Sequence, residues 1–251
     1  MKQYHIACAE GQVGGYVLLP GDPGRCEAIA SLLDNAAFVA RNREFTTYTG
    51  SLLGEPVSVT STGIGGPSTA IAVEELSALG AHTFIRVGTC GGMQPDVKGG
   101  DLVVATGAIR MEGTSREYLP IAFPAAPDFS VLRALADAAA QSGAPFHTGV
   151  VQSKDSFYGQ HDPGRMPVGG RLEADWRAWQ MGGALASEME AAALFTVCAA
   201  LGRRAGAVFM VVGNQALDER SMCHADEYDK APMLKAAVAA VRQLIWEGRE
   251  K

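Results

Sequence analysis

Short apolar runs alternate along this chain with longer segments in which apolar residues return every three or four positions. The run "YVLLP" (16–20) reads as a strand, followed by a helix-like stretch near Gly24–Leu33. The segment "FTTYTGSLLGEPVSVTST" (45–62) reads as two strands joined by a turn at Gly54–Glu55–Pro56. Helical spacing marks "TAIAVEELSAL" (69–79), and "TFIRVG" (83–88) is a strand ending in glycine. Further strands are predicted at "DLVVAT" (101–106) and "HTGVVQS" (147–153), with a helix near Phe129–Gln141 between them. Glu188–Leu201 reads as a helix, "AGAVFMVVG" (205–213) as a buried strand and Glu227–Trp246 as a closing helix. This alternation suggests a mostly parallel sheet covered by helices. No linker, repeat or low-complexity stretch interrupts it, so one domain over residues 1–251 is expected.

The loops that follow the strands are rich in glycine: "PGDPGR" (20–25), "STGIGGPST" (61–69) and "VGTCGG" (87–92). In open α/β sheets ligands gather at the carboxyl ends of strands. Glycine there also makes tight turns for purely structural reasons. Three such loops, two of them beside an arginine (Arg25, Arg86), point instead to backbone N–H groups gathered around an anion. None matches G-x-x-x-x-G-K-[ST], and "GIGGPS" is not G-x-G-x-x-G, so neither the P-loop nor the dinucleotide fingerprint fits. A small anion such as free phosphate is expected.

Composition narrows the setting. A hydrophobic fraction of 47% with 19% charged residues is ordinary for a globular core. The net charge of −6 argues against a nucleic-acid binder and requires local arginines to hold any anion. Five scattered cysteines (Cys8, Cys26, Cys90, Cys198, Cys223) form no C-x-x-C pair, which speaks against disulfides and cysteine-bound zinc and for a reducing compartment. The start "MKQYHIACAEG" lacks a signal-peptide pattern, and no run reaches the ~18 apolar residues of a membrane span. A soluble cytoplasmic protein is expected, without membrane or nucleic-acid partners.

The stretch "ASEMEAA" (186–192) sets two glutamates around a methionine just before an apolar run. Ser187 and Glu190 have the spacing of a capping box, in which each side chain satisfies the other's backbone N–H. That reading leaves Glu188 and Met189 unexplained.

Several stretches, in order, resemble one family. They are "LLPGDPGRCEAIA" (18–30), "REFTTYTG" (43–50), "STGIGGPSTAIAVEEL" (61–76), "RVGTCGGMQPDVKGGDLVV" (86–104), "SKDSFYGQ" (153–160) and "SEMEAAALF" (187–195). Together they are similar to the hexameric nucleoside phosphorylases, and among these to the uridine phosphorylases. The resemblance implies a single three-layer α/β/α domain with a central mixed sheet. It also implies a pentosyl transfer: phosphate and a pyrimidine nucleoside give ribose 1-phosphate and free base, uridine giving uracil. It implies a homohexamer built as a trimer of dimers, with sites shared across the dimer interface.

Carried over by position, the resemblance implies a phosphate site of Gly21, Arg25, Arg86 and Thr89, completed by Arg43 of a neighbouring subunit. An arginine fork matches phosphate oxygens, although an exposed ion pair is the commoner use of any single arginine. Glu190 is implied to bind the ribose 2′- and 3′-hydroxyls, with Met189 as an apolar floor and Glu188 as a further polar wall. An ionised carboxylate accepts both protons of a vicinal diol. His5, in "YHIACA", matches a histidine that reaches the ribose 5′-hydroxyl of a neighbouring subunit. Glu44, Ile64 and Ser68 match positions that bind a structural potassium ion in some members. No other cofactor is implied.

For the base, Phe157 offers a stacking ring and Gln160 an amide that both donates and accepts, which complements uracil. Arg86, Glu190 and Gln160 form the implied catalytic set. Purine-specific members carry an aspartic acid soon after the late strand; here Asn214 stands in that neighbourhood and Asp218 lies farther along. The chain departs from the familiar bacterial uridine phosphorylases where two base-side arginines are expected, having Asp162 and Gln215 near those positions. Lys154, Arg165 and Arg220 are the candidates for the missing positive charge. Other readings are a purine nucleoside phosphorylase, a nucleosidase using water, a nucleophilic Cys90, and a non-catalytic nucleoside-binding protein. The arginine cluster argues against the nucleosidase.

Overall fold

Both faces of the central strands are apolar because helices cover both. In the computed structural model, which describes residues 2–217 and 228–249, β1 (Tyr16–Pro20) leads into the short α1 (Gly24–Ala30). An outer meander follows, of β2 (Asp34–Asn42), β3 (Phe45–Leu52) and β4 (Glu55–Thr60). Then come α2 (Gly66–Ala78), β5 (Thr83–Gly92), β6 (Leu102–Met111), the single-turn α3 (Thr114–Tyr118) and α4 (Phe129–Ala140). The chain continues through β7 (Phe146–Lys154), α5 (Phe157–His161), α6 (Gly169–Met181) and β8 (Ala186–Glu188). It closes with α7 (Ala191–Ala200), β9 (Arg204–Asn214) and α8 (Ala231–Arg249).

All nine strands join one sheet in the order β2-β3-β4-β1-β5-β8-β7-β6-β9, and β5 also pairs with β9. That extra pairing closes β5, β8, β7, β6 and β9 into a ring. The sheet is mixed: β1 runs parallel to β4 and β5, whereas β2–β3, β3–β4, β5–β8 and β6–β9 are antiparallel. The strand–helix alternation suggested a mostly parallel sheet. Five of the nine pairings are indeed parallel, β5–β9, β6–β7 and β7–β8 among them; the antiparallel ones come from the helix-free β2–β4 meander and from one side each of β8 and β9.

Along β9, Phe209 and Val211 enter a core beneath α2 and α7, while Val208, Met210 and Val212 enter a second core beneath α4 and α8. Two covered faces explain why residues 205–213 read as one continuous apolar run. Helix α7 is buried from Ala191 to Cys198, so its sequence is apolar all round. Asp128 caps α4 by accepting the N–H groups of Ser130 and Val131.

Several boundaries differ from expectation: β5 runs on to Gly92, so the stretch expected as a loop over 87–92 is strand, and β6 runs on to Met111. β2 escapes a pattern search because it is a mostly exposed edge strand with two register shifts and no clear alternation. The helix expected over 188–201 starts at Ala191, because residues 186–188 are drawn into the sheet beside β5 and β7. The closing helix is described from Ala231; residue 227 lies outside the described residues. The fold thereby gathers the loops after β1 and β4, the last residues of β5 and β7 and the β8–α7 junction around one opening.

Candidate active site

That opening is a cavity of about 680 Å3. Gly21, Arg25, Arg86, Thr89, Lys154, Phe157, Gln160, Glu188, Met189 and Glu190 all line it. Gly21 and Glu190, 169 positions apart in sequence, therefore share one space.

At one end lie the arginines. Arg86, 5% exposed on β5, donates from Nη1 to Thr62 Oγ1 and from Nη2 to Glu190 Oε2, both at 2.7 Å. Arg25, in the first turn of α1, has only a 3.9 Å approach of its Nε to Asp22. Burial pushes its guanidinium pKa down, against the opposing pull of Asp22. Arg25 Nε, Arg25 Nη1 and Arg86 Nε are buried without a hydrogen-bond partner among the described residues. Each such group costs about 1–3 kcal/mol if left unsatisfied. A multi-oxygen anion is the partner that this donor set suits. Gly21 is the residue that lets Arg86 come so close: a Cβ there would sit 2.9 Å from Arg86 Nη2 and 3.1 Å from the Gly63 carbonyl.

Beside the arginines stands Glu190, 5% exposed at the N-terminus of α7. Its Oε1 accepts the Gly65 N–H at 2.7 Å, and its Oε2 faces Arg86. Gly65 adopts φ 96°, a left-handed conformation that favours glycine, at the start of α2. The expected Ser187–Glu190 capping box does not form. Ser187 is held in β8 opposite Gly91 and Gln152, so it cannot cap the helix. Glu188 does so instead: its Oε2 accepts the N–H groups of Glu190 and Ala191 at 2.7 and 2.8 Å, and its Oε1 accepts the Ser153 hydroxyl. Burial, reinforced by the Glu190 carboxylate, pushes the Glu188 pKa up to about 7.

The far end of the cavity is built from β7, α5 and β8. Lys154 Nζ lies 5.9 Å from the centre of the Phe157 ring and donates to Ser187 Oγ at 2.7 Å. Phe157 packs against His161 with ring centres 4.2 Å apart. Burial and the Lys154 charge push the His161 pKa down. Gln160 accepts from Ser187 at 2.6 Å and donates to Gln215 Oε1 at 2.6 Å. Cys90 is buried in the cavity wall.

Of the three candidate cations for the base side, Lys154 lines the cavity and is 7% exposed. Arg165 does not: it lies 3.5 Å from Asp162 and over the Tyr158 ring, facing outwards. Arg220 lies outside the described residues, as do Asp218 and Cys223. Asn214 is turned away from the cavity, donating to the carbonyls of Gln94 and Val97. A second cavity of about 780 Å3, lined by Trp176 and Trp179 of α6, shares Lys154, Gln160 and His161 with the first.

Arg43 and His5 do not line the cavity of their own chain. Arg43 is exposed in the β2–β3 turn at φ 52°, and the His5 ring lies 2.7 Å from Glu75. Glu44 packs along Gly63, and Ser68 donates to the carbonyls of Ile64 and Gly65 at 3.3 Å.

Residues 16–245 match the model of the phosphorylase superfamily. The chain is 54% identical to a uridine phosphorylase of Treponema pallidum, covering 97% of this chain and 94% of that one. It is 42% identical to the uridine phosphorylase of Escherichia coli, over 96% and 98% of the two chains. A guanosine phosphorylase of Halorubrum lacusprofundi is 44% identical over 85% and 84%.

Proposed function

We propose that this chain, which belongs to the phosphorylase superfamily, splits uridine with inorganic phosphate into uracil and ribose 1-phosphate in nucleoside salvage and catabolism. The observation that carries this reading is the meeting, in one cavity, of buried guanidinium N–H groups that have no partner among the described residues with the buried Glu190 carboxylate. Water needs no such donors, which favours phosphorolysis over hydrolysis.

Gly21, Arg25, Arg86 and Thr89 hold the phosphate, and Arg43 of a neighbouring copy completes the shell. Glu190 takes the ribose diol over Met189, with His5 of the neighbour at the 5′-hydroxyl. Glu188 lines the same wall, but its carboxylate is engaged by the helix cap, so its contribution is to fix the end of α7 on which Glu190 stands. Arg86 touches Glu190 and so lets a phosphate dianion and a carboxylate occupy adjoining space. A phosphate oxygen attacks C1′ as the bond from C1′ to the base breaks, and that bond's electron pair leaves with the base. The sugar at this point carries positive charge, which the phosphate and Glu190 stabilise. The base gains negative charge, which Lys154 and Gln160 meet while Phe157 stacks on the ring.

A purine reading draws on the guanosine phosphorylase relative. Against it, the Asn214 amide faces two carbonyls rather than the cavity. The placement of Arg43 and His5 off their own cavity supports a site shared between two copies, as in a homohexamer built as a trimer of dimers. No helix among the described residues is long and apolar enough to cross a membrane. Glu44, Ile64 and Ser68 offer a carboxylate, a carbonyl and a hydroxyl, hard donors that suit potassium, with more oxygens needed from a second copy.

The test is a phosphate-dependent assay of free-base release from uridine, thymidine, cytidine, inosine and guanosine. Uridine cleavage that requires phosphate is the expected result. Cleavage at full rate without phosphate, or of purine nucleosides alone, would overturn the proposal.

A further inference from the structure

One hydroxyl serves three side chains at the base end of the cavity. Ser187 Oγ lies 2.7 Å from Lys154 Nζ, 2.5 Å from Gln152 Oε1 and 2.6 Å from Gln160 Oε1. Ser187, Gln152 and Lys154 are all buried. We infer that Ser187 is a positioning residue that selects the base by fixing both the Lys154 ammonium and the orientation of the Gln160 amide; the inference rests on the uridine reading.

Proton counting supports it. A hydroxyl has one proton to donate and two lone pairs with which to accept. Ser187 therefore cannot donate to both glutamine carbonyls. Gln160 is the one whose orientation is fixed from its other end, because its Nε2 donates to Gln215 Oε1 while Gln215 Nε2 approaches the Gln160 backbone carbonyl at 3.4 Å. The Ser187 proton thus goes to Gln160 Oε1. The Gln152 amide is then turned so that its NH2 donates to Ser187, an assignment that rests on the bonding network. In that arrangement Ser187 accepts from Lys154 and Gln152 and donates to Gln160, with all its valences used.

The consequence is chemical. Gln160 then presents its carbonyl lone pair on the side of Ser187 and Lys154, and its NH2 on the side of Gln215. A base with an N–H next to a carbonyl, as in uracil, matches that order. A base whose ring N3 accepts instead of donating, as in cytosine, does not. Ser187 and Lys154 thereby supply at the base end an order that the absent arginines do not.

Ser187→Ala removes one of the two holds on the Gln160 amide, leaving that of Gln215, and removes the hydroxyl partner of Lys154. Its kcat/KM for uridine should fall about tenfold, the scale of a lost bond to a charged group, with the KM for phosphate unchanged. The ratio of uridine to cytidine kcat/KM should fall as well, and Ser187→Thr, which keeps the hydroxyl, should restore most of both. In a Lys154→Met background the Ser187→Ala loss should shrink, because the two residues act through one network. Uridine kcat/KM within twofold of wild type, losses that simply add, or a parallel rise in phosphate KM would overturn the inference. If Ser187→Ala does not fold, Ser187→Cys, close in volume with a weak hydrogen-bonding thiol, carries the same test. A wild-type protein that does not cleave uridine would refute the parent reading instead, a separate outcome.

Discussion

Arg86 and Glu190 hold each other inside the cavity, Nη2 donating to Oε2 at 2.7 Å, with each side chain 6% exposed. The two residues lie 104 positions apart, one on a central strand and the other at the mouth of a buried helix. In the proposed reaction the pair would join the end assigned to phosphate to the end assigned to the sugar.

Removing the carboxylate should therefore show twice. Glu190→Ala should lower kcat/KM for uridine at least about tenfold, from a lost charged hydrogen bond of ~1.5–3 kcal/mol. It should also destabilise the fold by about 3–5 kcal/mol, because Arg86 is left as an uncompensated buried charge. Phosphate should recover much of that stability by pairing with Arg86. Thermal melts with and without phosphate, beside steady-state kinetics, check both; wild-type kcat/KM in a folded variant would contradict the assignment.

Arg25 should behave in the opposite way in the absence of ligand. Its side chain is half-buried, and its Nε and Nη1 are buried without a hydrogen-bond partner among the described residues, so the folded protein carries part of its desolvation penalty. Arg25→Met should leave the melting temperature unchanged or raise it without phosphate. Phosphate affinity should nevertheless drop by about tenfold or more. Calorimetric titration of phosphate against the variant separates the two effects.

Glu188 predicts a pH dependence of stability. Its carboxyl pKa rises from 4.5 to about 7 on folding, chiefly through burial. Between those values the native state binds a proton that the unfolded chain has released. Its contribution is thus most favourable below the ordinary carboxylate range and is lost as pH rises through about 7. Glu188→Gln keeps the cap acceptor and stays neutral, so urea midpoints measured from about pH 5 to 8 should flatten relative to wild type. Glu188→Ala, which strands the Glu190 and Ala191 N–H groups, should cost about 1–2 kcal/mol of stability instead.

Asn214→Asp tests the purine reading. The amide nitrogen donates to two carbonyls, of Gln94 and Val97, which a carboxylate would repel. The variant should lose about 1–3 kcal/mol of stability. It should gain no activity on inosine or guanosine, read directly from the nucleoside panel; a new purine activity would show that the 214 side chain can reach the base.

Much of the architecture was legible along the chain. The β1, β3, β4, β5, β7 and β9 segments and helices α2 and α4 announce themselves by apolar periodicity and by glycine at strand ends. β2 was not legible, because an edge strand with register shifts has no clean alternation. Helices α3, α5 and α6 were missed as well; α6 buries only Gly169, so its sequence carries little of a core-facing stripe.

At the site, local sequence proposed a partnership that the fold dissolved. Ser187 and Glu190 have capping-box spacing, yet the pairing of β8 with β5 and β7 removes Ser187 from the helix end and gives the cap to Glu188. The order of helical and strand segments, the glycine turns, the arginines beside them and the acidic pair before α7 are properties of the chain itself, since they follow from local periodicity and from the chemistry of each side chain. That Arg86 meets Glu190, that Lys154 rather than Arg165 enters the cavity, and that one serine hydroxyl binds Gln152, Lys154 and Gln160 were decided only by strand pairing. Hydrogen-bond register between distant strands brings those atoms within 3 Å, and no spacing along the sequence encodes it.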